Sequence, residues 1–569
     1  MMTPKFFKAF NWFSVLYLFP VLATLAFIHR FGVNVPFMDS LTLTSLFHKI
    51  HLGTVTFADF WDPHNEHRIL IPRVFMTVLA FATDWNLKAK QYFSVFLSVL
   101  SAIGLCWISR QQSLHNPKTG NWQRFADIIT VILLFSLVQY ENWLWGFQLA
   151  WFWLTSCLVF AIALLQYPQK HRWLDKGFIF SAIFALLMSF SGAHGLLVWI
   201  AVFPLVWIRS HASNHPNLQR LLWLFLFLGS VALYASGYQE PSNNPDSTYA
   251  FRYPTESIPF FLAILGRTFS VELGTVSWVG ALVLLACLGS IWLFWQQREQ
   301  RQELAAWLSL LILPLGFAAM TTVGRTVLGL PAALASRYTT VTVLILIALI
   351  HIARICCQRQ PWRFFYGVMA VVFAVFSISQ SFDALTAGKH MYQGRRLGQH
   401  CLALVNYLEP SPSSCLLNIY VETGSIQEVW HPQLEELGFF EFVRDAEFSE
   451  MPETSYGTID EPAPGDVISL TPESVLYLSG WSIFPGRPKT PEIVLFSQDD
   501  RPAFFAATLV NKESPDLAEI FDMPEYNQAR WAINIPATAF PEGITKVRAW
   551  IYDGETTFIP LENQIQVSR

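Results

Sequence analysis

Charge is scarce in this chain of 569 residues: Asp, Glu, Lys and Arg make up only 14% of it, against about a quarter in water-soluble domains. With 53% hydrophobic residues and a mean hydropathy of +0.37, water is excluded as the solvent for most of the length. Cysteine chemistry is thin as well. The seven cysteines form no C-x-x-C pair and no Cys/His zinc spacing, and the H-E-x-x-H arrangement is missing. Internal repeats and mid-span charges, the marks of a transporter, are not evident. No loop on the basic side is long enough for an α/β domain that would take a soluble nucleotide sugar. The net charge of −4 averages two regions of unlike composition and selects no partner; nucleic acid is not expected.

Long apolar runs are abundant. A helix needs roughly 20 residues to cross about 30 Å of hydrocarbon. Runs of about that length, some shorter, lie near residues 11–29, 92–109, 126–140, 146–166, 174–190, 194–208, 219–236, 275–295, 304–321, 338–354 and 362–381. The expected fold is an α-helical polytopic membrane protein of about eleven spans. The first run follows Lys5 and Lys8 but lacks a small-residue cleavage site before Arg30, and reads as a retained span.

Basic residues fall in alternate loops: Lys5 and Lys8; Arg110, Lys118 and Arg124; Lys170, Arg172 and Lys176; Arg209 and Arg220; Arg298 and Arg301; then Arg354, Arg359 and Arg363. The positive-inside rule places these loops and the N-terminus in the cytoplasm. An odd number of spans puts the C-terminus outside.

Three regions follow: a transmembrane domain over 1–389 with a long first outer loop at 30–91, a mixed linker region over 390–456, and a soluble domain over 457–569. In the linker a small α/β element is expected around Leu416 to Val421 and Gln433 to Phe442. In the last region short alternating segments at 474–481, 492–496, 531–535 and 546–552, punctuated by Pro485-Gly486 and Asp553-Gly554, indicate a β-sandwich-like fold. Trp481, Trp531 and Trp550 are expected in its core, with a sugar-stacking surface as the alternative. Cys401 and Cys415 are read as unpaired, although an oxidising compartment would permit a bridge. Cys106, Cys157 and Cys287 are read as buried thiols.

The outer loops carry the candidate chemistry. Asp39 stands a few residues beyond the first span, and Trp61-Asp62-Pro63-His64-Asn65-Glu66-His67-Arg68 follows an apolar stretch. The stretch 69–82, interrupted by Pro72 and Arg73, is expected to lie along the membrane surface. Later outer segments contribute Glu141, His194, Glu240, Arg267, Arg325, Arg337 and Tyr338.

This plan resembles the C-type (GT-C) polytopic glycosyltransferases, particularly the bacterial branch with protein mannosyltransferases and the lipid A aminoarabinose transferase. The resemblance implies a polyprenyl-phosphate sugar donor, a lipid, glycan or protein acceptor at the outer face, and a bacterial inner membrane as location. The family's early-loop acid maps onto Asp39, which then serves as catalytic carboxylate. The adjacent Asp-Glu pair of some members is absent. No cofactor is fixed, and room remains for a divalent metal. Arg325 and Arg337 are candidates for the donor phosphate, and His64, Asn65, Glu66, His67, Arg68, Glu141, His194 and Tyr338 for the rest of the substrate site. Two other activities fit the same plan: a polysaccharide polymerase or ligase using lipid-linked oligosaccharide, and a non-enzymatic flippase.

Each residue has a plainer alternative. Asp39 is a good N-cap for a helix starting near Ser40. His64 and His67, spaced to share a helical face, suit hydrogen bonding better than metal binding. Arg325 and Arg337 equally suit lipid headgroups, Glu141 a solvated turn, and His194 a packed one.

The topology predicts that a reporter fused after Leu385, or at the C-terminus, is active only on the extracytoplasmic side. Cytoplasmic activity at both positions would reject it.

Overall fold

The computed structural model describes residues 12–113, 120–166, 173–239, 246–356, 362–463, 465, 467–499 and 503–569. Lys5, Lys8, Lys118, Lys170, Arg172, Glu240 and Arg359, which the charge reading used, lie outside the described residues. The chain divides into two compact units, Met1–Gly32 with Thr56–Lys389 and Val33–Val55 with His390–Arg569.

The first unit is helical and spans a membrane. Among the described residues, nine helices are long and apolar enough to cross, from Leu87–Gln112 to Tyr366–Ala403, and Val15–Phe31, Leu70–Ala82 and Lys176–Ser189 are shorter apolar helices. Every span expected from the sequence coincides with one of these, those near 11–29 and 174–190 with shorter ones. The surface-helix stretch became Leu70–Ala82, which buries Pro72, Arg73, Met76 and Ala80 and exposes Val74, Val78 and Phe81.

The helix Pro254–Gly266 was not anticipated, with Glu256 in its first turn and Pro259 inside, too short and too interrupted to register as a span. It lies against Val276–Gln296 at a crossing that only glycine permits. A Cβ on Gly280 would stand 1.7 Å from the Leu262 carbonyl oxygen, and one on Gly266 2.1 Å from that of Val276. Small residues let backbones approach where lipid supplies no hydrophobic drive between helices.

In the second unit the first-loop segment is held by the C-terminal region. The Met38 amide donates to the Ile419 carbonyl at 2.7 Å, Ser45 donates to Gln433 at 2.9 Å, and His48 meets Glu436 at 2.5 Å. Residues expected to form an α/β element are helical instead: a 3₁₀ turn spans Cys415–Asn418, helical turns continue to His431–Leu437, and no strand forms at 416–421. Cys401 and Cys415 are bridged, with Cα atoms 6.1 Å apart, which reverses the unpaired reading. Cys106, Cys157 and Cys287 are buried and free, as expected.

The strands are β1 (Glu447–Phe448), β2 (Gly457–Glu461), β3 (Val467–Ser469), β4 (Val475–Ser482), β5 (Ile493–Gln498), β6 (Phe504–Lys512), β7 (Arg530–Pro536), β8 (Ile544–Tyr552) and β9 (Thr557–Ser568). Their order, β1-β9-β2-β4-β7-β6-β5-β8, closes because β9 also pairs with β8. The result is a flattened barrel with a sandwich-like core of Leu476, Leu478, Val494, Phe496, Trp531, Ile535, Val547 and Ile551. Trp531 is 1% exposed and Trp550 8%, so both belong to the interior, while Trp481 packs against Phe521 at 6.0 Å.

Gly280→Val is expected to destabilise the protein by about 1–3 kcal/mol through overpacking, lowering its thermal midpoint in lipid nanodiscs. Gly229, with no atom within 4 Å of a built Cβ, is the control, and equal losses for Gly229→Val would refute the close-approach account.

Candidate functional site

The sharpest gathering of polar side chains in the membrane unit begins at a reverse turn. His64 and His67 exchange backbone hydrogen bonds of 2.7 and 3.0 Å, making a two-residue hairpin turn with Asn65 at φ 49°. Asn tolerates that left-handed conformation, and Asn65 thus serves the backbone. The histidines therefore do not share a helical face, as their spacing had suggested; they stand at the two ends of the turn.

Arg68 and Arg73 secure this loop. Arg68, 1% exposed, donates from Nε to the Tyr234 carbonyl, from Nη1 to Trp61 and from Nη2 to Ser236, at 2.7–2.8 Å. Its own amide donates to the Tyr234 hydroxyl at 2.9 Å. Arg73 Nη1 meets the carbonyls of Asp59, Phe60 and Asp62 at 2.8–3.0 Å, at the end of the short helix Phe57–Trp61. Helix C-termini favour such cations. The structure thus gives Arg68 an anchoring place, its guanidinium turned onto carbonyls.

So secured, the turn presents Glu66 to Arg325, the last residue of helix Arg301–Arg325, in a direct ion pair. His67 Nε2 lies 3.7 Å from the same carboxylate oxygen, and its ring meets that of His194 edge-on at 5.4 Å. Burial pushes the His67 imidazole below its ordinary range, with Glu66 opposing and Arg325 reinforcing the shift. His194, 7% exposed, contacts Trp151 at 5.6 Å and Phe317 at 4.6 Å, and its Nε2 is 3.4 Å from the Thr321 hydroxyl. Next to it, a Cβ on Gly195 would stand 1.8 Å from the Met188 carbonyl oxygen, which packs this turn against helix Lys176–Ser189.

A second pair forms nearby in sequence order. Arg337 Nη1 lies 3.3 Å from Glu141 Oε2, and its guanidinium sits 5.3 Å from the Tyr338 ring. Asn142 donates to the Arg337 carbonyl at 2.8 Å and to Thr340 at 2.6 Å. Arg267, 4% exposed, donates from Nε to the Leu334 carbonyl at 2.6 Å and lies within electrostatic reach of Tyr140 and Glu141. Phe317 links the two clusters, its ring 6.0 Å from Tyr338 and 4.6 Å from His194. Glu141 is paired here, where a solvated turn had been the plainer alternative. Trp151, Phe317 and Thr321 were missing from the expected site, and Arg267, noted among the outer-loop charges, had been given no role in it. Arg267 alone carried a signal, as an arginine following Leu265-Gly266 in apolar sequence.

Asp39 belongs to the second unit. It sits half-buried in the first turn of the 3₁₀ helix Met38–Leu43, whose N-cap is Phe37 and not Asp39, so the capping alternative is not realised. Its charge is felt by Tyr420, whose hydroxyl burial raises first, and Glu422 and Asp39 raise further. Among the described residues, no group of three His, Cys, Asp or Glu side chains is placed to hold a metal ion.

No family model matches this chain, and no curated protein matches it. A solved structure does. It is the crystal structure of the Archaeoglobus fulgidus oligosaccharyltransferase, at 10% identity and a TM-score of 0.37, over 66% of this chain and 52% of that one. The chain thus spans about half the length of that structure.

The Glu66–Arg325 pair is partly shielded, with 22% and 30% of the side chains exposed. Removing one partner of a fully buried pair costs about 3–5 kcal/mol, and a smaller loss is expected here. Glu66→Gln should lower the thermal midpoint, and the double variant Glu66→Gln/Arg325→Met should recover part of it. Strict additivity in this cycle would show that the two side chains are not coupled.

Proposed function

We propose that the chain is a membrane glycosyltransferase that moves a sugar from a polyprenyl-phosphate donor to a lipid, glycan or protein acceptor at the outer face of a bacterial inner membrane. The observation that supports this most directly is the meeting of Glu66, from the long first outer loop, with Arg325 beside the His67–His194 contact. A phosphate leaving group accumulates negative charge, and a guanidinium already oriented by a carboxylate meets it without reorganisation. Arg337, held by Glu141, supplies a second such cation. The apolar surfaces of the surrounding helices suit a polyprenyl tail. The bridge between Cys401 and Cys415 supports an oxidising, extracytoplasmic side for the C-terminal unit.

In this reading the reaction is a direct displacement with inversion. The acceptor oxygen or nitrogen forms a bond to the anomeric carbon as the bond to the donor phosphate oxygen breaks. The phosphate leaves with the electron pair, and the acceptor's proton passes to a carboxylate. Asp39 is the proposed base, on its early-loop position and on its place within a helical turn where it is not the cap.

Asp39→Asn separates charge from shape. Loss of a general base typically costs about 10² to 10⁴-fold in rate, and that loss is expected in sugar transfer by membranes carrying the variant, with protein level unchanged. Wild-type transfer would remove Asp39 as base. Arg325→Lys and Arg337→Lys keep the charge and lose the planar fork; a fall in donor affinity is expected for either residue that grips phosphate, and unchanged affinity in both would refute that role.

A further inference from the structure

The second unit contains a cleft of its own, with a volume of ≈ 160 Å³. One wall is apolar, built from Leu404, Phe484 and Ile493, and the rim carries His400, Lys489 and Glu492. These come from three places: the last turn of helix Trp362–Ala403, the β4–β5 connection and the start of β5.

The walls are fixed before anything binds. The Phe484 carbonyl accepts the Tyr526 hydroxyl at 2.6 Å, and the Glu492 carbonyl accepts the Val510 amide at 3.0 Å. The β8–β9 turn closes one end. There Asp553 Oδ1 accepts the amides of Glu555, Thr556 and Thr557 at 2.8–3.0 Å. Glu492 on the rim is held in a direct ion pair by Arg396, which also donates to the Tyr392 hydroxyl at 2.8 Å. His400 Nε2 is buried without a hydrogen-bond partner and lies 3.9 Å from Glu492 Oε2. Lys489 is exposed, and no carboxylate pairs with it among the described residues. A buried ring nitrogen left without a partner is costly. It is accounted for if a ligand supplies the missing bond.

We propose that this cleft binds one neutral pyranose ring. Charge and shape both point there. Lys489 and Arg396 balance Glu492 and Asp553, so the rim attracts no net charge. A sugar ring has an apolar C–H face for Phe484 and Ile493 and an equatorial edge of hydroxyls that donate to Glu492 and accept from Lys489 and His400. The volume suits one ring and not an extended chain. This site lies wholly within the second unit and is independent of the assignment of Glu66, Arg325 and Asp39.

The test uses the full chain in lipid nanodiscs, free of sugar-headed detergent, titrated calorimetrically and by ligand-observed NMR with D-glucose, D-galactose, D-mannose and N-acetyl-D-glucosamine. Glycine and inorganic phosphate are the charged comparisons. Saturable binding of at least one sugar is expected, weakened about tenfold by Lys489→Ala or Glu492→Gln, as the loss of a hydrogen bond to a charged group implies. Ala403→Phe, which fills the cleft from the helix side, should abolish it. Glu492→Gln also removes the Arg396 ion pair, and the exposed Lys489→Ala keeps the test valid if that variant folds poorly. Absence of binding by every sugar, binding of glycine or phosphate in preference to them, or sugar binding that all three variants leave unchanged would each overturn the proposal.

Discussion

A charged group in a low-dielectric setting needs a partner placed before folding ends, and the surroundings of the first loop in the membrane unit are arranged by that requirement. Arg68 is matched by backbone carbonyls of Trp61, Tyr234 and Ser236, which fastens the first loop to the end of helix Pro216–Ala235. Arg73 closes the neighbouring helix in the same way. With those two cations occupied by the backbone, Glu66 and Glu141 pair with Arg325 and Arg337. The division is one of labour. Arg68 and Arg73 meet carbonyls and shape the loop, while Arg325 and Arg337 meet carboxylates.

That distinction explains what was legible in the sequence. Hydropathy located the spans because their length is set by the bilayer and not by any particular neighbour. It missed Pro254–Gly266, since a short helix with an internal proline is defined by its glycine crossing with Val276–Gln296, a tertiary fact. Among the strands, β4, β5, β7 and β8 followed from alternation or from short runs between turn residues. β6 did not: its first four residues, Phe504 to Ala507, are all buried, so no period of two is visible. β9 is interrupted by polar Glu562 to Gln564, with Asn563 at φ 65°.

The site was legible by residue type but not by partner. Glu66, His67, His194 and Arg325 drew attention as ionisable groups in or beside apolar sequence, and they do meet. Arg68 drew attention for the same reason and proves to be an anchor, because nothing in a linear string tells a guanidinium facing carbonyls from one facing a carboxylate. The aromatic lining, Trp151 and Phe317, carried no signal at all in a chain with 22 Trp and 49 Phe. Asp39 came forward by its position in the loop, and the structure sets it in a different compact unit from Arg325.

That assignment of residues 33–55 to the unit completed by His390–Arg569 also bears on the order of biosynthesis. At about 5–20 residues per second, the ribosome needs roughly a quarter of a minute to a minute to make the membrane helices lying between the two parts. During that interval the amphipathic segment around Leu46 and Phe47, both buried in the finished fold, lacks the later residues that hold it, Ile419, Gln433 and Glu436. The first-loop segment is therefore enclosed only once Ile419 and the helix His431–Leu437 that hold it have been made.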